Sequence, residues 1–224
     1  MNVSELEHQW TALWERLAKR CCKAEAFDLK AVQRGGKRLR KAYASRGRHY
    51  HTQAHLSALF VLWQQHHHAL RDPDTVALAI WYHDAVYQSL RKDNEKRSAQ
   101  WAQRDLSAWG LAAEKIKTVV KMIEVTAHHH QVPEPVNHDL LWFLDFDLNI
   151  LSAPPETYSR YVEQVRKEYR WVPEALYRQG RVKVLKTMLA ADFIYHTPTF
   201  RQQKERQARE NVRKEIAYWN HLYA

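Results

Sequence analysis

Glycine and proline are scarce in this chain, and their placement limits the possible folds more than any other feature. Five glycines and seven prolines serve 224 residues, and apart from Pro73 no proline occurs before Pro133. Long stretches without breakers favour helices over a multi-strand β fold, which needs frequent turns. No sustained polar–apolar alternation and no Asn-Gly or Asp-Gly hairpin signal is present. Hydrophobic residues make up 45% of the chain and include nine tryptophans, enough rigid bulk for one substantial core. The expected fold class is all-α.

Apolar spacing and end signals divide the chain into helices. Ser4-x-x-Glu7 reads as a capping box ahead of Leu6, Trp10, Leu13, Trp14 and Leu17. Residues 34–47, with Gly35, Gly36 and Gly47, read as a broken, basic connection. A second helix is expected from about His51 to Ala69. Asp72-Pro73 caps a third helix, taken through Tyr87. A fourth covers about 94–109 and stops at Gly110. A fifth covers about 112–128 and a sixth starts after Asn137. After Pro154-Pro155, helices are expected at about 156–170, 174–195 and 200–221. The last mixes Arg and Lys with Glu205, Glu210 and Glu215 at helical spacing, the pattern of a salt-bridged exposed face.

The formal charge is +10, unevenly spread: between Asp28 and Asp72 there is no acidic residue, while Lys30, Arg34, Lys37, Arg38, Arg40, Lys41, Arg46, Arg48 and Arg71 lie there. Such a segment draws anions, either as a nucleic-acid patch or as a funnel for a phosphorylated substrate. Cys21 and Cys22 are adjacent, which suits two thiols in a reducing compartment. The amphipathic start MNVSELEHQW is unlike a signal peptide, and no apolar run approaches a membrane span. A cytoplasmic protein with no membrane partner is expected.

Three segments carry candidate chemistry. His83-Asp84 sits in the apolar run Trp81–Tyr87, where an ionised carboxylate is costly unless paired or bound to a cation. An imidazole beside a carboxylate suits a divalent metal; an Asp paired with an arginine, next to a core histidine, fits the same string. Phe143–Leu148 holds two acids, Asp145 and Asp147. On a helical wheel Asp147 falls nearer the Leu140/Leu144/Leu151 face, so Asp147 is taken as the inward carboxylate with Asp145 in reserve. His51 and His55, four apart, share a helical face, as two site residues or as two surface histidines.

The order H…HD…D resembles the HD superfamily of metal-dependent phosphohydrolases. Several local strings are similar to a bacterial branch of predicted HD phosphohydrolases: Arg48-x-Tyr50-His51-x-x-x-His55, Trp81–Tyr87, Asn94-Glu95-x-x-Ser98-Ala99, Leu144-Asp145-x-Asp147-Leu148, Arg166-x-Glu168-Tyr169 and Glu205-x-x-Ala208-Arg209-x-Asn211. The resemblance spans nearly the whole chain. It implies a single HD-type helical domain over 1–224, with the core at about 48–150 and packing helices at about 156–221. It implies a divalent ion (Mn, Mg, Fe, Co, Ni or Zn) on His55, His83, Asp84 and Asp147. His51 and Asp84 are then catalytic residues acting on a small phosphorylated substrate. Tyr50-His51-x-x-x-His55 also resembles the Tyr-His-Asn-x-x-His element of cyclic-nucleotide phosphodiesterases, whose first histidine protonates the leaving group. Thr52 stands where asparagine is usual, and the remaining phosphodiesterase motifs are missing. Arg48, Glu95, His128 and His129 are candidate substrate contacts; the plainer readings are a solvated arginine in a basic run, a cap of the fourth helix and a surface histidine cluster.

Two other readings accompany this one. An alarmone hydrolase is set lower because Ala85-Val86-Tyr87 follows His-Asp where those enzymes carry an acidic pair. A non-enzymatic basic module binding nucleic acid or a nucleotide is set lower because no recognised nucleic-acid motif appears and the basic residues are taken to lie in a loop-like region rather than along a recognition helix.

Overall fold

The computed structural model describes residues 2–20, 22 and 27–221, and ten α-helices carry them. These are α1 (Val3–Arg20), α2 (Leu29–Tyr43), α3 (Gln53–His66), α4 (Pro73–Tyr82), α5 (Asn94–Ala108), α6 (Ala113–Val125), α7 (His138–Leu148), α8 (Pro155–Glu168), α9 (Glu174–Ala190) and α10 (Pro198–His221). Short 3-10 turns extend α3, α6 and α7. Among the described residues no strand forms, only one isolated bridge between Cys22 and Leu111. The fold is all-α. Cys21 lies outside the described residues. The helices gather into two compact units, Met1–Phe143 and Leu144–Ala224, with the division inside α7.

The first unit is built around α4. Every residue from Thr75 to Tyr82 is buried, so this helix is apolar on all sides and must be central. Asp72 caps it as expected, accepting from the Thr75 N–H at 3.2 Å. Trp10 and Trp14 of α1 meet Trp81 and Trp109 in an edge-on aromatic cluster, with the Trp14 and Trp109 rings 5.0 Å apart. Gly110 ends α5 at φ 77°, where a side chain would be strained. Asn137 caps α7, accepting from the Asp139 and Leu140 N–H groups at 2.9 and 3.0 Å.

Three expectations fail here for identifiable reasons. The box that starts α1 is Asn2 with Glu5, each accepting the other's backbone N–H, because Glu7 is drawn into an ion pair with Arg40. The third helix stops at Tyr82 instead of Tyr87, since residues 83–87 turn away. Most consequentially, residues 34–43 are helical, not a broken connection. Gly35 and Gly36 do not break α2; they admit indoles against its backbone. A Cβ on Gly35 would lie 2.3 Å from the Trp109 ring, and one on Gly36 would lie 2.6 Å from Trp10 Nε1.

Gly35→Ala therefore tests packing against propensity. Helix propensity alone favours alanine by about 1 kcal/mol. Trp109 is held by Trp10 and Trp14 and cannot swing aside, so overpacking wins and the variant is expected to lose about 2 kcal/mol in urea unfolding. At Gly180 of α9 nothing lies within 4 Å of the added methyl. There alanine is expected to add about 0.5–1 kcal/mol. Equal effects at the two glycines would remove the indole-packing account.

The second unit joins the end of α7 and its following turn to α8, α9 and α10. Asn211 of α10 donates to the Leu151 and Ala153 carbonyls at 2.8 Å each. Glu205 accepts from the Ile194 and Tyr195 N–H groups and from Arg209, whose guanidinium also reaches the carbonyls of Leu189, Ala191 and Asp192. Thus α9 stops at Ala190, short of the expected 195, because the chain beyond it is fastened to α10. The exposed-face reading of α10 fails in part: Glu215 is buried against Arg181, at 2.7 Å, and Glu205 and Arg209 are half-buried.

Candidate metal centre

Two chain segments of the first unit meet at the C-terminal end of α4. Thr52 caps α3, accepting from the Ala54 N–H at 3.3 Å, which places His55 in the first turn of that helix and His51 just ahead of it. His51 and His55 therefore do not share a helical face as expected; the cap at Thr52 intervenes. His83 is the C-cap of α4, its N–H bonded to the Ala79 carbonyl at 2.9 Å.

His55, His83 and Asp84 converge. The two Nε2 atoms are 3.1 Å apart, His83 Nε2 is 3.1 Å from Asp84 Oδ2, and His55 Nε2 is 3.7 Å from that oxygen. His83 Nδ1 lies 2.9 Å from the Ile80 carbonyl, which can only accept, so Nδ1 carries the proton. A neutral His83 then turns a bare Nε2 toward a carboxylate oxygen, two acceptors at hydrogen-bond distance. A proton between the two, on His83 or on Asp84, relieves that contact, and so does a cation among the three groups. Ligands about 2.1 Å from one ion stand about 3.0 Å apart at right angles and about 3.4 Å apart at the tetrahedral angle. Two of the three spacings fall in that range and the third, 3.7 Å between His55 Nε2 and Asp84 Oδ2, is a little wider; His83 Nδ1 is anchored as ligating histidines usually are. These three residues could hold a metal ion. Burial alone would raise the Asp84 carboxyl; positive charge on His83, and then on His51 and His55, outweighs it and holds it below the usual carboxylate range.

The surroundings fix this geometry. Arg48, expected as a phosphate contact, is buried: its Nη1 donates to the His51 and Asp84 carbonyls at 3.1 and 2.7 Å, its Nη2 to the Ala85 carbonyl at 3.0 Å, and its Nε to Ser45 Oγ at 3.1 Å. The guanidinium also lies near the Tyr43 and Tyr87 rings. It ties the His51 and Asp84 segments together and leaves little for a substrate. His51 stacks on Tyr87, ring centroids 4.1 Å apart, and its ring stands 5.9 Å from that of His55. Tyr43 went unnoticed in the sequence: its hydroxyl accepts from the Asp84 N–H at 3.3 Å and lies 3.3 Å from the Trp81 carbonyl. Its signal was the apolar face of α2, hidden while that stretch was taken as a loop.

The remaining candidates lie elsewhere. Glu95 is half-buried in the first turn of α5, where Asn94 fastens the loop by two bonds to the Gln88 backbone. His128 is exposed and His129 half-buried in the turn after α6. None of these joins the three-residue cluster. Asp145 and Asp147 belong to the second unit. There the wheel is corrected: Asp145 is the fully buried acid and Asp147 is half-buried. Helix α7 carries Trp142, Phe143, Leu144, Phe146 and Leu148 around its whole circumference, all buried, so no single apolar face existed to rank the acids. The Asp145 carboxylate accepts from His196 N–H at 2.7 Å, Thr197 N–H at 2.8 Å and Thr197 Oγ1 at 2.6 Å.

Burial pushes the Asp145 carboxyl up to about 6 despite these three donors. Its folded value thus exceeds the unfolded one, 3.8. Between about pH 4 and 6 the folded state keeps a proton that the unfolded chain has released, so this group's contribution to stability falls as pH rises. Against Asp145→Asn, which cannot titrate, the wild type is expected to lose on the order of 2 kcal/mol across that window. Urea unfolding at pH 4, 5, 6 and 7 measures the difference; a flat difference would contradict it.

No protein-family model, no curated protein and no solved structure matches the chain. Fold and site define its class: an all-α protein with a buried His-His-Asp group able to hold a cation.

Proposed function

We propose that the first unit is the centre of a cation-dependent phosphohydrolase that acts on an anionic phosphate ester. One observation carries this reading: three ligand atoms 3.1–3.7 Å apart, with the outer nitrogen of His83 already committed to a carbonyl. A divalent cation, when bound, supplies Lewis acidity, acidifying water and offsetting phosphoryl charge. His55, His83 and Asp84 would hold it. Overall, a water gives up one proton as its oxygen bonds to phosphorus, the bond from phosphorus to the leaving oxygen breaks with its electron pair, and that oxygen takes a proton, so one water is consumed per ester bond with protons in balance. His51, next to the cluster and braced by Tyr87 and Arg48, is the donor of that proton.

The test is elemental analysis with a phosphate-release assay, with and without added Mn²⁺, Mg²⁺, Co²⁺ or Ni²⁺. His83→Ala and Asp84→Ala are expected to fold, to lose the bound cation and to lose hydrolysis. Folded variants that keep full cation content would defeat the reading.

A further inference from the structure

Nucleic-acid binding loses one of its two objections once α2 is seen to be a helix. At about 100° per residue, Lys30, Arg34, Lys37 and Lys41 fall within about 60° of its circumference, with Val32, Gly35, Gly36, Leu39 and Tyr43 buried on the other side. All four cations are exposed. Arg34 has only a loose contact with Asp28 at 3.6 Å, and Lys30, Lys37 and Lys41 have no ion-pair partner among the described residues. At about 1.5 Å per residue, the stripe puts one positive charge per turn along about 16 Å.

From these observations we infer that the exposed face of α2 is a track for single-stranded nucleic acid that leads to the His55–His83–Asp84 cluster. The C-terminal end of α2 adjoins that cluster, because Tyr43, two residues past Lys41 though on the packed side of the helix, receives the Asp84 N–H. At that end the half-exposed rings of Tyr50, His51 and Tyr87 lie against one another, 5.0 and 4.1 Å between successive centroids. A cationic line for the backbone and aromatic rings for the bases are the two elements that single-strand binders combine. A lipid surface fits less well: a helix that inserts needs its apolar face, and here that face is closed by Trp10 and Trp109. The inference deepens the phosphohydrolase reading by naming its substrate class, a phosphodiester strand, and rests on that reading only for what happens at the cluster.

Binding of a fluorescent twelve-residue oligothymidylate by the full chain, measured in EDTA from 50 to 200 mM NaCl, tests it without the cation. For single strands each phosphate contact contributes about 0.7 to the slope of log Kd against log[NaCl]. Replacing Lys30, Arg34, Lys37 and Lys41 together by glutamine is expected to lower that slope by about 3. This removes a roughly fifty-fold weakening across the salt range. Unchanged circular dichroism and cation content serve as controls for folding. An unchanged slope in the variant would overturn the track. So would equal affinity for a duplex of the same length, or capture of the protein by vesicles of 70% phosphatidylcholine and 30% phosphatidylserine with no oligonucleotide binding. Full cation content in His83→Ala would defeat the phosphohydrolase reading and leave this measurement standing.

Discussion

On the proposed phosphohydrolase reading, His51→Asn is expected to bind a cation like the wild type and to lose turnover by roughly 10²–10⁴-fold, the usual worth of a placed general acid. His51 is outside the three-atom group, so removing it leaves the ligand atoms of His55, His83 and Asp84 in place. Its position does not depend on the cation either. The ring stacks on Tyr87, and the backbone carbonyl is gripped by Arg48. The loss should depend on the leaving group. A p-nitrophenyl ester departs as a stable anion and needs little help from a proton donor. An alkyl ester departs as an alkoxide and needs the proton in the transition state. The variant should therefore lose far more on the alkyl ester than on the p-nitrophenyl ester, with kcat falling and KM nearly constant. Equal losses on both esters, or a fall in cation content, would assign His51 to positioning instead of proton transfer.

The grouping of His83 and Asp84 with His55 was easier to read in the sequence than the geometry around it. His83-Asp84 stood out because a charged pair inside Trp81–Tyr87 requires compensation, and the structure places both beside His55. Helix ends marked by side-chain caps were legible at Asp72 and Asn137, where an acceptor sits just before an apolar run. What failed was anything decided by a neighbour distant in sequence. Gly35-Gly36 is a breaker by propensity, and only Trp109 and Trp10, from α5 and α1, make it a packing surface. Arg48 looked like a solvated phosphate contact, yet the carbonyls that consume its donors belong to Asp84 and Ala85, more than thirty residues on. The error over α2 had a functional cost, because the same four cations mean one thing scattered in a loop and another aligned on a helix face.

The second unit offers the sharpest stability test. Arg181→Met is expected to cost about 3–5 kcal/mol, because it strands an ionised carboxylate in a core. The Arg181 guanidinium grips Glu215 with two donors, Nε at 2.7 Å and Nη2 at 3.0 Å, and the Glu215 side chain is only 2% exposed. Tyr158 donates to the same carboxylate at 2.5 Å and Trp219 at 3.1 Å. Burial by itself would raise the Glu215 carboxyl; Arg181, with help from Tyr158 and Trp219, outweighs it and holds it below the usual range. In the wild type, then, the pair contributes stability above the unfolded value, 4.5, and loses it as pH falls through the lower folded value. The variant has the opposite dependence. Its unpaired Glu215 opposes folding while ionised, and acid relieves it. The gap between wild type and Arg181→Met should accordingly narrow as the pH drops from 7 towards 4. Adding Glu215→Gln should restore part of the loss at neutral pH, since the amide keeps the shape without the charge: its oxygen can accept from Trp219 Nε1, while the Tyr158 hydroxyl, on the other side, can accept from its NH2. Chemical denaturation of the two single variants and the double variant closes the cycle. A double variant no more stable than Arg181→Met alone would mean that lost packing of the arginine stem, and not the stranded charge, sets the cost.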